Sequence, residues 1–121
     1  MSATELQEQA ALFEWAALSE GKYPALKWLY AIPNGGKRKI VTAVNLKRAG
    51  VKKGVPDICL PVARGKWHSL YVEMKEEEGG RISIEQKIWI NGLTAEGNKA
   101  VVCKGWEAAR DTILDYLGGK E

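Results

Sequence analysis

Apolar residues recur at Leu6, Ala10, Leu12, Phe13, Ala16 and Ala17 with the three-to-four spacing of one helix face. Thr4 followed by Gln7 fits a capping box, so the pattern predicts a first helix from Thr4 to about Ser19, ending before Gly21. The short aromatic run "KWLYAIP", residues 27–33, stops at a proline and reads as a strand, with "NGGKR" as the turn after it. "KIVTAVNLKRAG" carries a weaker stripe at Ile40, Val44 and Leu46 and a C-terminal stop at Gly50, giving a second helix. Residues 57–62 and 67–75 read as two strands of a hairpin joined by "ARGK". Ser83 with Gln86 is a second possible capping box, opening a helix through Ile84, Ile88 and Trp89 to about Ala95. "KAVVCK" is then a compact strand and "WEAARDTILDYLGG" a closing helix. The order αβαββαβα points to an α/β layer fold around a small sheet flanked by helices.

With 121 residues, 45% of them hydrophobic, the chain is sized for one core, and no linker or repeat divides it. One domain over residues 1–121 is expected, with fraying at the first few residues and at "GGKE". "MSATELQEQ" has no basic, apolar leader and no apolar run approaches about 18 residues, so a soluble, intracellular protein is expected. Cys59 and Cys103 lie in separate apolar runs without CxxC spacing. Reduced core thiols fit them better than a disulfide or zinc site.

The net charge of +3 is mild, but Lys37, Arg38, Lys39, Lys47, Arg48, Lys52 and Lys53 fall within seventeen residues. Such a cluster suits a polyanion-facing surface, and a solvated helix face explains it about as well.

The stretch "GVPDICLPVARGKWHSLYVEMK" puts charges at the ends of otherwise apolar strands. Residues two apart on a strand share a face, so Glu73 and Lys75 project together, away from Val72 and Met74. The hairpin returns the chain so that Asp57, separated from Glu73 by fifteen residues, lies alongside it. Two carboxylates about 4 Å apart repel by about 4 kcal/mol at an effective dielectric near 20, and need a compensating charge. Lys75 offers one. A divalent cation fits better, since magnesium takes one or two carboxylates and keeps waters that a phosphate and a nucleophile can replace. Lys75 could then position an attacking water or stabilise charge developing on phosphorus. The same spacing arises by chance in a chain with 27% charged residues, and Pro-Asp is also an ordinary turn opening.

The text around these residues narrows the choice. "GVPDICL…LYVEMK" resembles the PD-(D/E)xK nuclease signature, and "RISIEQKIWINGLTAEGNKAVVC" after it resembles the virus-type replication-repair nuclease (VRR-NUC) family. "IPNGGKR" and "LKRAGVKKGVPD" extend the likeness over nearly the whole chain, which resembles stand-alone phage members. The resemblance implies a restriction-endonuclease-like core and a Mg2+- or Mn2+-dependent endodeoxyribonuclease. It implies a homodimer acting on Holliday-junction-like or other branched DNA, in the cytoplasm of a bacterial host. It assigns Asp57 and Glu73 as metal ligands and Lys75 as the catalytic lysine, with an acid from the first helix as a further ligand. Glu8 is favoured for that acid, with Glu5 close behind and Glu14 a third candidate. Gln86 matches the family's glutamine beside the metal, against its alternative role as capping partner of Ser83; one amide is expected to serve only one of these. Asn34, Lys37 and Arg38 match a loop near the DNA, and Lys47, Arg48, Lys52 and Lys53 are expected to contact its backbone. Trp89 and Trp106 read mostly as core, Trp28 and Trp67 have no assigned place, and His68 beside the hairpin turn reads as structural or solvated and not catalytic. Competing readings are a catalytically silent nucleic-acid-binding module, a nickase without junction preference, and a sequence-specific restriction enzyme. The first has no need of Asp57, Glu73 and Lys75 together, and the last needs recognition elements for which 121 residues leave little room.

Overall fold

A computed structural model of the chain describes residues 3–33 and 40–118. Helix α1 (Glu5–Ser19) begins at Thr4, whose hydroxyl accepts from the Gln7 amide while the Gln7 side chain accepts from Thr4 N–H. A short 3-10 helix (Pro24–Trp28) leads into β1 (Tyr30–Ala31), then α2 (Ile40–Arg48), β2 (Ile58–Leu60) and β3 (Leu70–Lys75). Helix α3 (Ile84–Ala95), strand β4 (Lys99–Lys104) and helix α4 (Trp106–Leu117) complete the chain. The expected order is therefore observed. Among the described residues, no helix is long and apolar enough to cross a membrane.

Two elements differ in extent from the sequence reading. Pro24, with its fixed φ and no N–H to satisfy, starts a 3-10 turn that runs through Trp28, and only Tyr30 and Ala31 remain as strand. The hairpin strands are also shorter: Pro61 cannot donate to the ladder after Leu60, and Asp57 stands just before β2. Arg64 and Trp67 exchange backbone hydrogen bonds of 3.1 and 2.9 Å across the turn. The stop of α2 is as expected. Gly50 adopts φ +100°, with Val51 N–H bonded to Leu46 O and Gly50 N–H to Lys47 O, a Schellman ending.

The four strands form one sheet in the order β1-β2-β3-β4, with the first two pairings antiparallel and β3 parallel to β4 through α3. Helices α1 and α4 cover one face. There Leu12, Ala16, Ala109, Ile113 and Tyr116 pack with Ile58, Leu60, Leu70, Val72 and Met74. Tyr116 Oη donates to Val62 O at 2.6 Å and ties the end of α4 to the hairpin. Strand alternation sends Tyr71, Glu73 and Lys75 to the opposite face, yet Glu73 and Lys75 are buried as well. A strand buried on both faces ordinarily carries apolar residues, so two charges there call for a local explanation.

The apolar stripes are only partly buried. Leu6, Ile84 and Ile88, which the periodicity counts with helix faces, are exposed, whereas Glu8 is buried with Leu12 and Ala16 along the inward face of α1. Trp106 packs against the core; Trp89 instead lines a cleft with Ile32, Pro33, Lys52 and Val55.

Candidate active site

The register pairs Ile58 with Val72, so Asp57 stands opposite Glu73 one step before the ladder begins. Two backbone bonds hold Asp57 there. Its carbonyl accepts from Ile32 N–H at 2.7 Å, and its Oδ2 accepts from Met74 N–H at 2.8 Å. Glu5, in the first turn of α1, reaches the same place, and one carboxylate oxygen from each of Glu5, Asp57 and Glu73 lies within 4.8 Å of the others. Lys75 Nζ stands 3.7 Å from Glu73 Oε2, and the two side chains are 8% and 2% exposed.

Gln86 shows why its two expected roles do not compete. Its Oε1 accepts from Ser83 N–H at 2.8 Å, completing the capping box, while its Nε2 donates to Glu73 Oε2 at 3.1 Å. An amide has an acceptor end and a donor end, and each role uses one of them. The helix cap therefore aims the glutamine at the acid. Gly54 keeps this helix start close to the approach to Asp57. Its φ is +93°, and a Cβ there would lie 2.6 to 2.8 Å from Glu85 atoms.

Glu73 is the strained member. Burial first, and then the adjacent Asp57 carboxylate, push its pKa up to about 8, with Lys75 pulling the other way. Oε2 faces Gln86 and Lys75, but Oε1 is buried with no hydrogen-bond partner. A buried unmet acceptor costs about 1–3 kcal/mol. Three convergent carboxylates, one with an unmet oxygen, are a hard-oxygen donor set that fits a divalent cation such as Mg2+ or Mn2+.

Glu8, the acid favoured from the sequence, does not join this group. Its Oε1 accepts from Trp106 N–H at 2.9 Å, at the start of α4, where the N-cap residue Gly105 has no side chain to do so. A carboxylate at a helix N-terminus meets an orphan N–H and the positive end of the helix dipole. Glu5, Glu8, Leu12 and Ala16 fall in phase on one face of α1. An acid in register with a buried stripe was the available signal, and it marked both residues without separating them. Glu14 is exposed on the same helix. The expected outcome is a clean split: Glu8→Ala lowers stability by about 1–2 kcal/mol in denaturant melts, whereas Glu5→Gln leaves the midpoint in place and weakens metal binding by titration. A Glu8→Ala protein that melts like wild type and loses the metal would reverse the assignment.

Lys47 and Arg48 at the end of α2, and Lys52 and Lys53 in the turn leading to Asp57, are exposed. Asn34, Lys37 and Arg38 lie outside the described residues. His68 is exposed, with its ring against Gly97, where a Cβ would lie 2.6 Å from it.

The VRR-NUC domain family matches residues 3–107. A solved structure described as a VRR_NUC domain protein aligns with 100% of this chain and 93% of its own, at 29% identity and a TM-score of 0.85. No curated protein matches.

Proposed function

Because the chain belongs to the VRR-NUC domain family, a family of nuclease type, we propose that it is a metal-dependent endonuclease that hydrolyses phosphodiester bonds in DNA as a single domain. The observation that carries this reading is the unpartnered Oε1 of buried Glu73, set among Asp57, Glu5 and a buried lysine. Asp57, Glu73 and Glu5 would hold Mg2+ or Mn2+, one oxygen each. When bound, such an ion polarises the phosphodiester and makes water a better nucleophile.

The chain's own groups supply the rest. Met74 N–H fixes the Asp57 carboxylate, and Gln86 Nε2 fixes that of Glu73, so neither acid has to be ordered when substrate arrives. The Lys75 ammonium, beside Glu73 and almost fully buried, can orient the attacking water and stabilise negative charge growing on phosphorus. Lys47, Arg48, Lys52 and Lys53, with Asn34, Lys37 and Arg38 earlier in the chain, would take up the DNA backbone, an affinity that carries no sequence information.

The preferred substrate in this proposal is branched DNA. A single site cuts one strand, so symmetric cutting of a four-way junction requires two copies, and a homodimer is part of the proposal. The setting would be the cytoplasm of a bacterial cell, where such DNA arises, with a phage or prophage gene as the source.

The deciding experiment compares wild type and Asp57→Asn on a labelled four-way junction and a matching linear duplex, with Mg2+, Mn2+ or EDTA. Asparagine keeps an acceptor for Met74 N–H and removes the charge, which separates chemistry from folding. Cutting that requires the metal and disappears in the variant is expected, with the junction preferred. Binding without cutting under every metal condition would instead favour the catalytically silent module.

A further inference from the structure

On the face of the sheet that carries Glu73, the row next to the acids is aromatic. The register aligns Tyr30 with Cys59 and Cys59 with Tyr71, in the order β1, β2, β3. Cys59 is buried between the two, Tyr71 is half-buried, and Tyr30 on the edge strand is 48% exposed. Tyr71 precedes Glu73 by two residues, and Cys59 follows Asp57 by two, so the row lies about 7 Å from the acids along the strands. Trp28 lies two residues before Tyr30, at the end of the 3-10 turn. Leu29 is buried in the core and its neighbours on either side turn outward, Trp28 being 56% exposed with the Lys27 ammonium 5.0 Å from its ring centroid.

Exposed aromatic rings beside a cation are the usual equipment for stacking nucleobases, because every base offers a π-face and the ammonium faces the phosphate. A base in a continuous duplex is already stacked on both sides and cannot lie flat on a protein ring. An unpaired one can. The spacing also fits, since about 7 Å corresponds to two rises of about 3.4 Å along a stacked strand. The Cys59 side chain and burial raise the phenol of Tyr30 to about 12, and burial chiefly raises that of Tyr71. An ordinary phenol is already neutral near pH 7, so the row does not repel a polyanion. A second copy is a poorer occupant, because a two-residue edge strand offers little ladder to pair with.

We propose that Trp28 and Tyr30, backed by Tyr71, form a stacking platform for an unpaired nucleotide within a few positions of the phosphodiester that would be cut at the Asp57 and Glu73 site. This deepens the nuclease reading and rests on it, since it supplies a local reason for preferring branched DNA to continuous duplex.

The test measures binding of a labelled oligothymidylate and of a blunt duplex in EDTA, so that cutting plays no part. Proteins compared are wild type, Trp28→Ala, Tyr30→Ala and Tyr30→Phe, each checked by thermal melting and sedimentation. Trp28→Ala and Tyr30→Ala should each lose about tenfold in single-strand affinity with under about twofold change on duplex, and Tyr30→Phe should keep wild-type affinity. Trp28 ends a surface turn, so its variant remains informative should Tyr30→Ala misfold. Equal losses on single strand and duplex, or no loss on either, would overturn the platform. So would a change in oligomeric state of the folded variants, which would give the patch to a second copy. Metal-dependent cutting by wild type is scored separately, so a failed platform with cutting intact leaves the nuclease reading standing, and absent cutting removes that reading on its own.

Discussion

Replacing Lys75 with alanine is expected to lower DNA cleavage by at least about 10³-fold, while DNA affinity stays within about threefold. The two effects separate because Lys75 is almost fully buried beside Glu73, where the proposed chemistry would take place, and would add little to the exposed cations proposed to contact the DNA backbone. Its ammonium is the positive side chain paired with the acids among the described residues. Alanine also leaves a gap at a buried site, where the lysine stem beyond Cβ was packed. Lys75→Met controls for this by restoring volume without charge. If both variants melt near wild type and both lose cleavage, the charge is responsible. Near-normal turnover by either one would remove the lysine from the chemistry.

The affinity for Mg2+ or Mn2+ should rise about tenfold per pH unit between about pH 6 and 8 and level off above that. The cause is Glu73, whose proton must leave before the carboxylate can serve as a ligand, and whose pKa stands at about 8 through burial and the nearby Asp57. Calorimetry in two buffers of different ionisation enthalpy should count about one proton released per ion at pH 6 and fewer above pH 8. No proton release at pH 6 would mean that Glu73 titrates like an ordinary carboxyl. Folding stability carries the same signature with the opposite slope. A carboxyl raised in the folded state contributes stability that is complete below its unfolded pKa near 4.5 and is lost as pH rises through about 8. Metal-free protein should therefore lose up to about 1.4 kcal/mol per pH unit across that window. Added metal should restore most at the alkaline end, and Glu73→Gln should flatten the metal-free profile.

Much of the fold was legible in the sequence because its signals are local. Both capping boxes span three residues, Thr4 to Gln7 and Ser83 to Gln86, and both formed as expected. The projection of Glu73 and Lys75 to one face follows from the two-residue period of a strand and needs nothing else from the molecule. The limits of β1 were less legible. A β-prone run competed there with a proline that starts a tight turn, and the proline won.

The sequence by itself determined the order of elements, the hairpin that brings Asp57 beside Glu73, and the shared face of Glu73 and Lys75. Only the tertiary structure decided that Glu5 and not Glu8 completes the acidic group, that Gln86 caps its helix and holds Glu73 at once, and that Tyr30, Cys59 and Tyr71 make one row. The physical reason is separation along the chain. Glu8 is turned away by an amide 98 residues distant, at Trp106, and the aromatic row exists only through the register of three strands. Periodicity reports which residues share a face of their own element, and packing between elements determines what that face meets.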